Sequence, residues 1–254
     1  MAVQNHIYEY MTEPLFYSEQ LAEPGATLLL TGDEARHAAA ARRLHDGDTL
    51  WLFDGHGGTA RATLLRTTAR GQTLELRIEE RRTEPPRRPT LHLACALPKG
   101  DRQQVLLDMA TQLGMTRFTP LLCARSVVKP GANSPARWRK ICLEACKQSR
   151  RLYLPAIEAA STAPDVTRRA TAEGSLVWLA HPAVQAVSVT AAINERVNDV
   201  TLLVGPEGGF TEAEIEQAVA AGARSLTLGV SILRIETAAV ALVAAFALNA
   251  GSGS

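Results

Sequence analysis

Residues 201–250 read TLLVGPEGGFTEAEIEQAVAAGARSLTLGVSILRIETAAVALVAAFALNA, and this stretch sets the fold class. Residues 201–204 are a short apolar, β-prone run. Gly205, Gly208 and Gly209 punctuate the next six residues, and Pro206 stiffens the loop. Thr211, with Glu214 three residues later, has the form of a capping box: the hydroxyl accepts from one orphan helix N–H while the carboxylate reaches back to another. Gly222 stands where a left-handed residue ends the helix. Residues 225–228 make the next strand, Gly229 breaks it, and residues 236–250 are apolar enough for a largely buried helix. The unit is β-loop-α-β-loop-α, so the fold class is α/β. Both strands lead into glycine loops, where backbone can approach a small molecule at strand C-termini.

A phosphate ligand suits these loops poorly. GPEGGF at 205–210 matches neither G-x-G-x-x-G nor G-x-x-x-x-G-K-[ST]; it has no lysine, and its one charge, Glu207, repels phosphate. A cofactor with positive charge and no phosphate fits better. A stiff surface turn explains the same residues without a ligand.

Upstream, TLLL, DTLWLF, ARATLL and TLELRIEE, all within residues 14–80, are short strand-like runs separated by glycine turns, with a helical stretch at 33–44. They read as a small β-barrel domain over residues 1–84, with 1–12 as an extension. RRTEPPRRP at 81–89 reads as a stiff linker. Residues 85–254 form the second domain: LHLACAL is a buried strand, 101–113 a helix and RFTPLLCA another strand, the alternation of a mostly parallel sheet.

With 254 residues and 46% hydrophobic side chains, the chain can bury two cores. No apolar run approaches the roughly 18 residues of a membrane span. MAVQNHIYEYMTE lacks the basic-then-apolar layout of a signal peptide, so a cytoplasmic protein is expected. Cys95, Cys123, Cys142 and Cys146 show no zinc spacing; reduced, mostly buried thiols and no metal are expected, although Cys142 and Cys146 are one helical turn apart. The net charge of +1 conceals an asymmetry. Residues 1–151 hold 22 Lys+Arg against 16 Asp+Glu, and residues 152–254 hold 5 against 10. A polyanion facing the basic portion would gain from counterion release, and a solvated arginine-rich surface is the alternative. On a helix beginning near Pro135, Lys140, Lys147 and Arg151 recur at helical spacing as a basic stripe, unless Glu144 pairs with Lys140 and Lys147.

LLVGPEGGFTEAEI and, further on, LGVSILRIETA closely resemble the signature of the ribosomal RNA small subunit methyltransferase E family, 16S rRNA uridine-N3 methyltransferases of the SPOUT superfamily. The resemblance extends over nearly the whole chain: His37, Arg43, Gly47 and Phe53-Asp54-Gly55, then PKGDR at 98–102, Leu113-Gly114, Arg125-Ser126, WRKICLEACKQSRR at 138–151, and His181-Pro182. It implies a trefoil-knotted methyltransferase domain that binds S-adenosylmethionine, a preceding PUA-like RNA-binding domain, a homodimer, and 16S rRNA or the small ribosomal subunit as partner, with neither DNA nor membrane. The chain departs from the family text at Met109, Gln112, Ala124, Ser231 and Ile235.

The resemblance assigns cofactor contacts to His181, to Leu203, Val204, Gly205, Pro206, Glu207 and Gly208, and to Leu228, Gly229, Ile232, Leu233, Thr237 and Ala238. Methylating uracil N3 needs a flipped base, a departing N3 proton and stabilisation of charge on the carbonyl oxygens. Arg234 is the candidate stabiliser, unless it pairs with Glu236 or Glu207. Glu236, Glu207 and His181 are the candidate bases, with solvent as an alternative. RNA contacts are expected at His37, Arg43, Lys99, Arg102, Arg125, Lys140, Lys147, Gln148 and Arg151. A SPOUT enzyme acting elsewhere on RNA and a catalytically inactive RNA-binding protein are the other readings.

Overall fold

The computed structural model describes residues 13–41, 44–68, 73–183, 185–195 and 197–249. The chain divides into two compact units. The first holds residues 1–86 together with 146–154, and the second holds the rest.

In the first unit, strands β1 (Leu15–Tyr17), β2 (Thr27–Thr31), β3 (Thr49–Phe53), β4 (Gly58–Thr68) and β5 (Thr73–Thr83) form one sheet in the order β1-β3-β4-β5-β2. β1 runs parallel to β3 and the other pairs are antiparallel. Period-2 alternation sends Leu74, Leu76 and Ile78 of β5 inward and leaves Arg77 and Glu79 to solvent. The core adds Leu30, Leu50, Leu52 and Leu64, closed by Ala35 and Ala38 of helix α1 (Gly32–Ala41). Residues 81–83, expected in the linker, continue β5 instead and pair with residues 58–60 of β4. The ladder stops just before Pro85 and Pro86, which have no N–H to donate.

Residues 146–154, expected in the second domain, group with this unit through backbone pairing. Gly57 N donates to Leu152 O at 3.1 Å and Leu154 N to Gly55 O at 2.9 Å. The Tyr153 hydroxyl donates to Glu84 O at 2.7 Å. A Cβ at Gly57 would run into that hydroxyl, and its φ of +93° is one that side chains avoid, so the contact requires glycine.

The second unit alternates β6 (Thr90–Cys95), α2 (Arg102–Leu113), β7 (Met115–Pro120), α3 (Ser134–Ser149, whose end from Cys146 groups with the first unit), β8 (Ala156–Ile157), α4 (Ala163–Ala172), β9 (Leu176–Ala180), β10 (Val187–Ser188), α5 (Val189–Ala192), β11 (Asp199–Val204), α6 (Glu212–Ala220), β12 (Arg224–Thr227) and α7 (Ile235–Asn249). Its seven strands are all parallel, in the order β10-β12-β9-β11-β6-β7-β8. The central strands are covered on both faces, which is why LVWLA and TLLV read as unbroken apolar runs. α4 and α6 pack together, while α7 packs on α2, β6 and β11. Two polar pairs bridge neighbouring segments of the sheet: Ser175 Oγ lies 2.9 Å from Thr201 Oγ1, and His92 Nε2 lies 2.8 Å from Thr119 Oγ1. Burial and the positive charges of Arg117 and Arg169 hold the His92 pKa down at about 3.

Candidate functional site

Because every strand of the second unit points the same way, the turns after β6, β9, β11 and β12 emerge at one edge of the sheet. The loop after β11 is the most constrained of them. Gly209 N donates to Pro206 O at 2.8 Å, closing a turn in which Gly209 takes a φ of +70°. A Cβ at Gly205 would lie 2.9 Å from the buried ring of Phe210, so only glycine lets the chain leave β11 along this path.

The capping box at the start of α6 is present. Glu214 N donates to Thr211 Oγ1 at 3.3 Å and Thr211 N to Glu214 Oε2 at 2.8 Å. Glu214 does more than cap, because its Oε1 also accepts from Ala124 N at 2.8 Å. Burial alone would raise the Glu214 pKa. The N–H groups of Thr211 and Ala124, the Thr211 hydroxyl and the Arg125 charge outweigh it and hold the carboxyl below its usual range. Arg125 Nη1 meanwhile donates to Gly208 O at 2.8 Å, so residues 124 and 125 grip the loop on two sides.

After β12, Gly229 N donates to Thr227 Oγ1 at 3.3 Å, and the chain then turns toward α7 through an exposed segment. Val230 and Ile232 stand fully in solvent, at 106% and 101% relative exposure, with Leu233 and Arg234 exposed beside them. Ala238 N donates to Arg234 O at 2.9 Å, which places Arg234 at the entrance of α7. Thr237 is exposed and Ala238 half-buried in the first turn of that helix. Leu203 and Val204 are buried strand residues, Leu203 within the core, so backbone is what they can offer a ligand. His181 stands just past β9, its N–H donating to Leu226 O at 3.0 Å.

The third contributor was not expected in this role. Arg102, at the start of α2, points its Nη1 to within 3.7 Å of Glu236 Oε1 and its Nη2 to within 4.0 Å of Glu207 Oε1. The carboxylates that were alternatives for pairing with Arg234 therefore face Arg102. Glu236 is 9% exposed, and its Oε2 has no hydrogen-bond partner among the described residues. Cys95 lies buried at the end of β6 with its thiol donating to Ala96 O, and burial raises its pKa well above the ordinary value. That makes it packing and not a nucleophile.

The remaining expected RNA contacts are scattered over both units. His37 is exposed on α1, its ring edge-on to Phe16 at 6.2 Å; Arg43 lies outside the described residues. Lys99, Lys140 and Gln148 are exposed or partly so, and Arg151 is half-buried. Lys147 does not join an exposed stripe: it is 9% exposed, with Nζ 2.7 Å from Glu34 Oε1 inside the first unit. Lys147 lies in the stretch of the helix, from residue 146 on, that groups with the first unit, and there its ammonium meets Glu34. Neither Glu34 nor the Arg102 cluster was legible in the sequence, since each joins residues more than 100 positions apart with no shared periodicity.

Residues 85–247 match the RNA methyltransferase domain model, and residues 30–74 match the RNA methyltransferase PUA domain model. The Ribosomal RNA small subunit methyltransferase E of Mycobacterium bovis is 34% identical over 92% of this chain and 91% of its own length. That of Synechocystis is 35% identical over 87% of this chain and 72% of its own length. The chain belongs to the ribosomal RNA small subunit methyltransferase E family. A Neisseria gonorrhoeae member of this family, solved bound to S-adenosyl methionine, superposes with a TM-score of 0.80 at 30% identity, covering 92% of this chain and 96% of that one. A Legionella pneumophila protein described as a methyltransferase, solved with the cofactor SAM, gives 0.81 at 28% identity, covering 94% and 98%. The methyltransferase domain of the family spans the whole seven-stranded sheet and every loop of the site.

Proposed function

We propose that the chain transfers a methyl group from S-adenosylmethionine to N3 of a uridine in the 16S rRNA of the small ribosomal subunit. The observation that carries this reading is the single sheet edge at which two glycine loops, an exposed Glu207, exposed Ile232 and Leu233, and a partly unpaired buried Glu236 converge. These residues fit the cofactor. The Gly205 turn brings backbone close, carboxylates suit a cationic amine and sulfonium, and apolar side chains suit an adenine face. S-adenosylmethionine, when bound, supplies a methyl group already activated on sulfur. Backbone from Leu203 to Gly208 and from Leu228 to Leu233, with His181, Thr237 and Ala238, would hold and orient it.

Arg234, at the mouth of the site, would stabilise the negative charge that spreads onto the uracil oxygens as the N3 proton leaves and N3 takes the methyl group. Glu236 is the carboxylate at hand to accept that proton, directly or through water. RNA contacts would fall on His37, Gln148 and Arg151 in the first unit and, each unit taken by itself, on Lys99 and Lys140 in the second, with Arg125 holding the loop. The first unit would be a PUA-like barrel, and the second a trefoil knot. The knot reading is supported by the return of the chain from β12, beyond β9, to α7 on β6 and β11. A homodimer, supported by the exposed apolar Val230 and Ile232, and a cytoplasmic location complete the proposal.

Calorimetric titration with S-adenosylmethionine tests the enzymatic reading against an inactive RNA-binding one. Binding at micromolar concentrations is expected, and no heat at millimolar cofactor would sink the enzymatic reading. Arg234→Ala is expected to keep that affinity and cut turnover by roughly a hundredfold, as loss of one charge-stabilising donor does. Equal loss of both would place Arg234 in the cofactor pocket.

A further inference from the structure

We infer that Arg102 is a positioning residue of the cofactor cradle, tying its two glycine loops together through Glu207 and Glu236, and that it is not a phosphate contact for RNA. The inference rests on the proposed S-adenosylmethionine site. Three chain segments distant in sequence meet at this guanidinium. Arg102 opens the helix after β6, Glu207 sits in the loop after β11, and Glu236 lies in the first turn of α7 after the second loop. Its base is fixed: Arg102 Nε donates to Lys99 O at 3.3 Å, and the neighbouring Gln103 Nε2 donates to Pro98 O at 3.0 Å while its Oε1 accepts from Trp138 Nε1 at 3.3 Å. A planar fork presents separate N–H groups to two carboxylates on different loops in one fixed geometry, which a lysine ammonium on its flexible stem holds less rigidly.

The charge arithmetic favours this role over RNA contact. One guanidinium within 4 Å of two carboxylates leaves the cluster at net −1, which repels a phosphate and attracts a cationic ligand. Glu236 is nine-tenths buried, so its carboxylate needs a counter-charge, and Arg102 supplies one. Its Oε2, still without a hydrogen-bond partner among the described residues, is left for a donor on the ligand.

The test compares wild type, Arg102→Ala and Arg102→Lys in two titrations: calorimetry with S-adenosylmethionine, and binding to 16S rRNA across a series of salt concentrations. Arg102→Ala should weaken the cofactor roughly tenfold, Arg102→Lys by less, while RNA affinity and its salt slope stay at the wild-type value. In an Arg102→Ala/Glu236→Gln double variant the losses should be less than additive, because both break the same pair. Wild-type cofactor affinity in Arg102→Ala, additive losses, or a salt slope lower by about one would each overturn the inference. Thermal melting checks that the variants fold, and Arg102→Lys carries the test if the alanine variant does not. A wild type that binds no cofactor overturns the proposed function itself, a result separate from a wild type that binds it while Arg102→Ala binds it equally.

Discussion

Glu214 answers three N–H or O–H donors with one carboxylate, and two of these donors belong to Thr211, the partner any capping box supplies. The box was legible because its logic is local, and the bond to Ala124, 90 positions away, was not. Thr211→Ala should therefore cost about 1 kcal/mol in urea denaturation. Glu214→Ala should cost more, since it also releases Ala124 N. The folded pKa of Glu214 is depressed, so its contribution is present above the unfolded value near 4.5 and is lost as pH falls through the folded value. His92 acts over a different window. Its folded pKa of about 3 lies below the unfolded 6.5, so the unfolded chain binds the extra proton between these values. Stability from keeping His92 neutral is complete above pH 6.5 and drains away as pH falls toward 3. Denaturation at about pH 7 and about pH 4.5 should show a smaller loss in His92→Gln than in wild type; an equal loss would clear His92 of the effect.

Among the elements, the segment from β11 to α6 shows how a glycine fixes a loop. Gly205→Ala would press a Cβ into the Phe210 ring, at a cost of about 1–3 kcal/mol, and should weaken cofactor binding in the same titration. Gly209→Ala meets no neighbour within 4 Å and carries only the strain of φ +70°, so it should cost about 1 kcal/mol. Melting curves of the two variants separate clash from strain. Strands and helices with a period long enough to register were legible: β2 to β5, β6, α2, β11, α6, β12 and α7 lie within a few residues of their expected places. A two-residue strand such as β10 and a four-residue helix such as α5 carry no period to read. α4 did carry a signal, since Thr162 caps it by accepting from Asp165 N and Pro164 sits in its first turn.

Over the whole molecule, the basic front portion read from composition divides once burial is known. Lys140 stays exposed, whereas Lys147 is enclosed with Glu34. Lys147→Ala should cost about 1–3 kcal/mol of stability and leave the salt slope of rRNA binding unchanged, while Lys140→Ala should lower that slope by about one with little effect on stability. The reverse pattern would restore Lys147 to an RNA surface. The fold class was legible because a parallel sheet writes its strands as apolar runs; the grouping of residues 146–154 with the first unit was not, because its backbone pairs at Gly55 and Gly57 and its side-chain bonds from Tyr153 and Lys147 join residues far apart in sequence with no shared period. Uridine-N3 methylation of 16S rRNA is decided by mass mapping of 16S rRNA from a strain lacking this protein, before and after incubation with the purified chain and S-adenosylmethionine. A single uridine should be unmethylated beforehand and carry one methyl group at N3 afterwards; rRNA whose uridine methylation is the same with and without the protein would refute this activity.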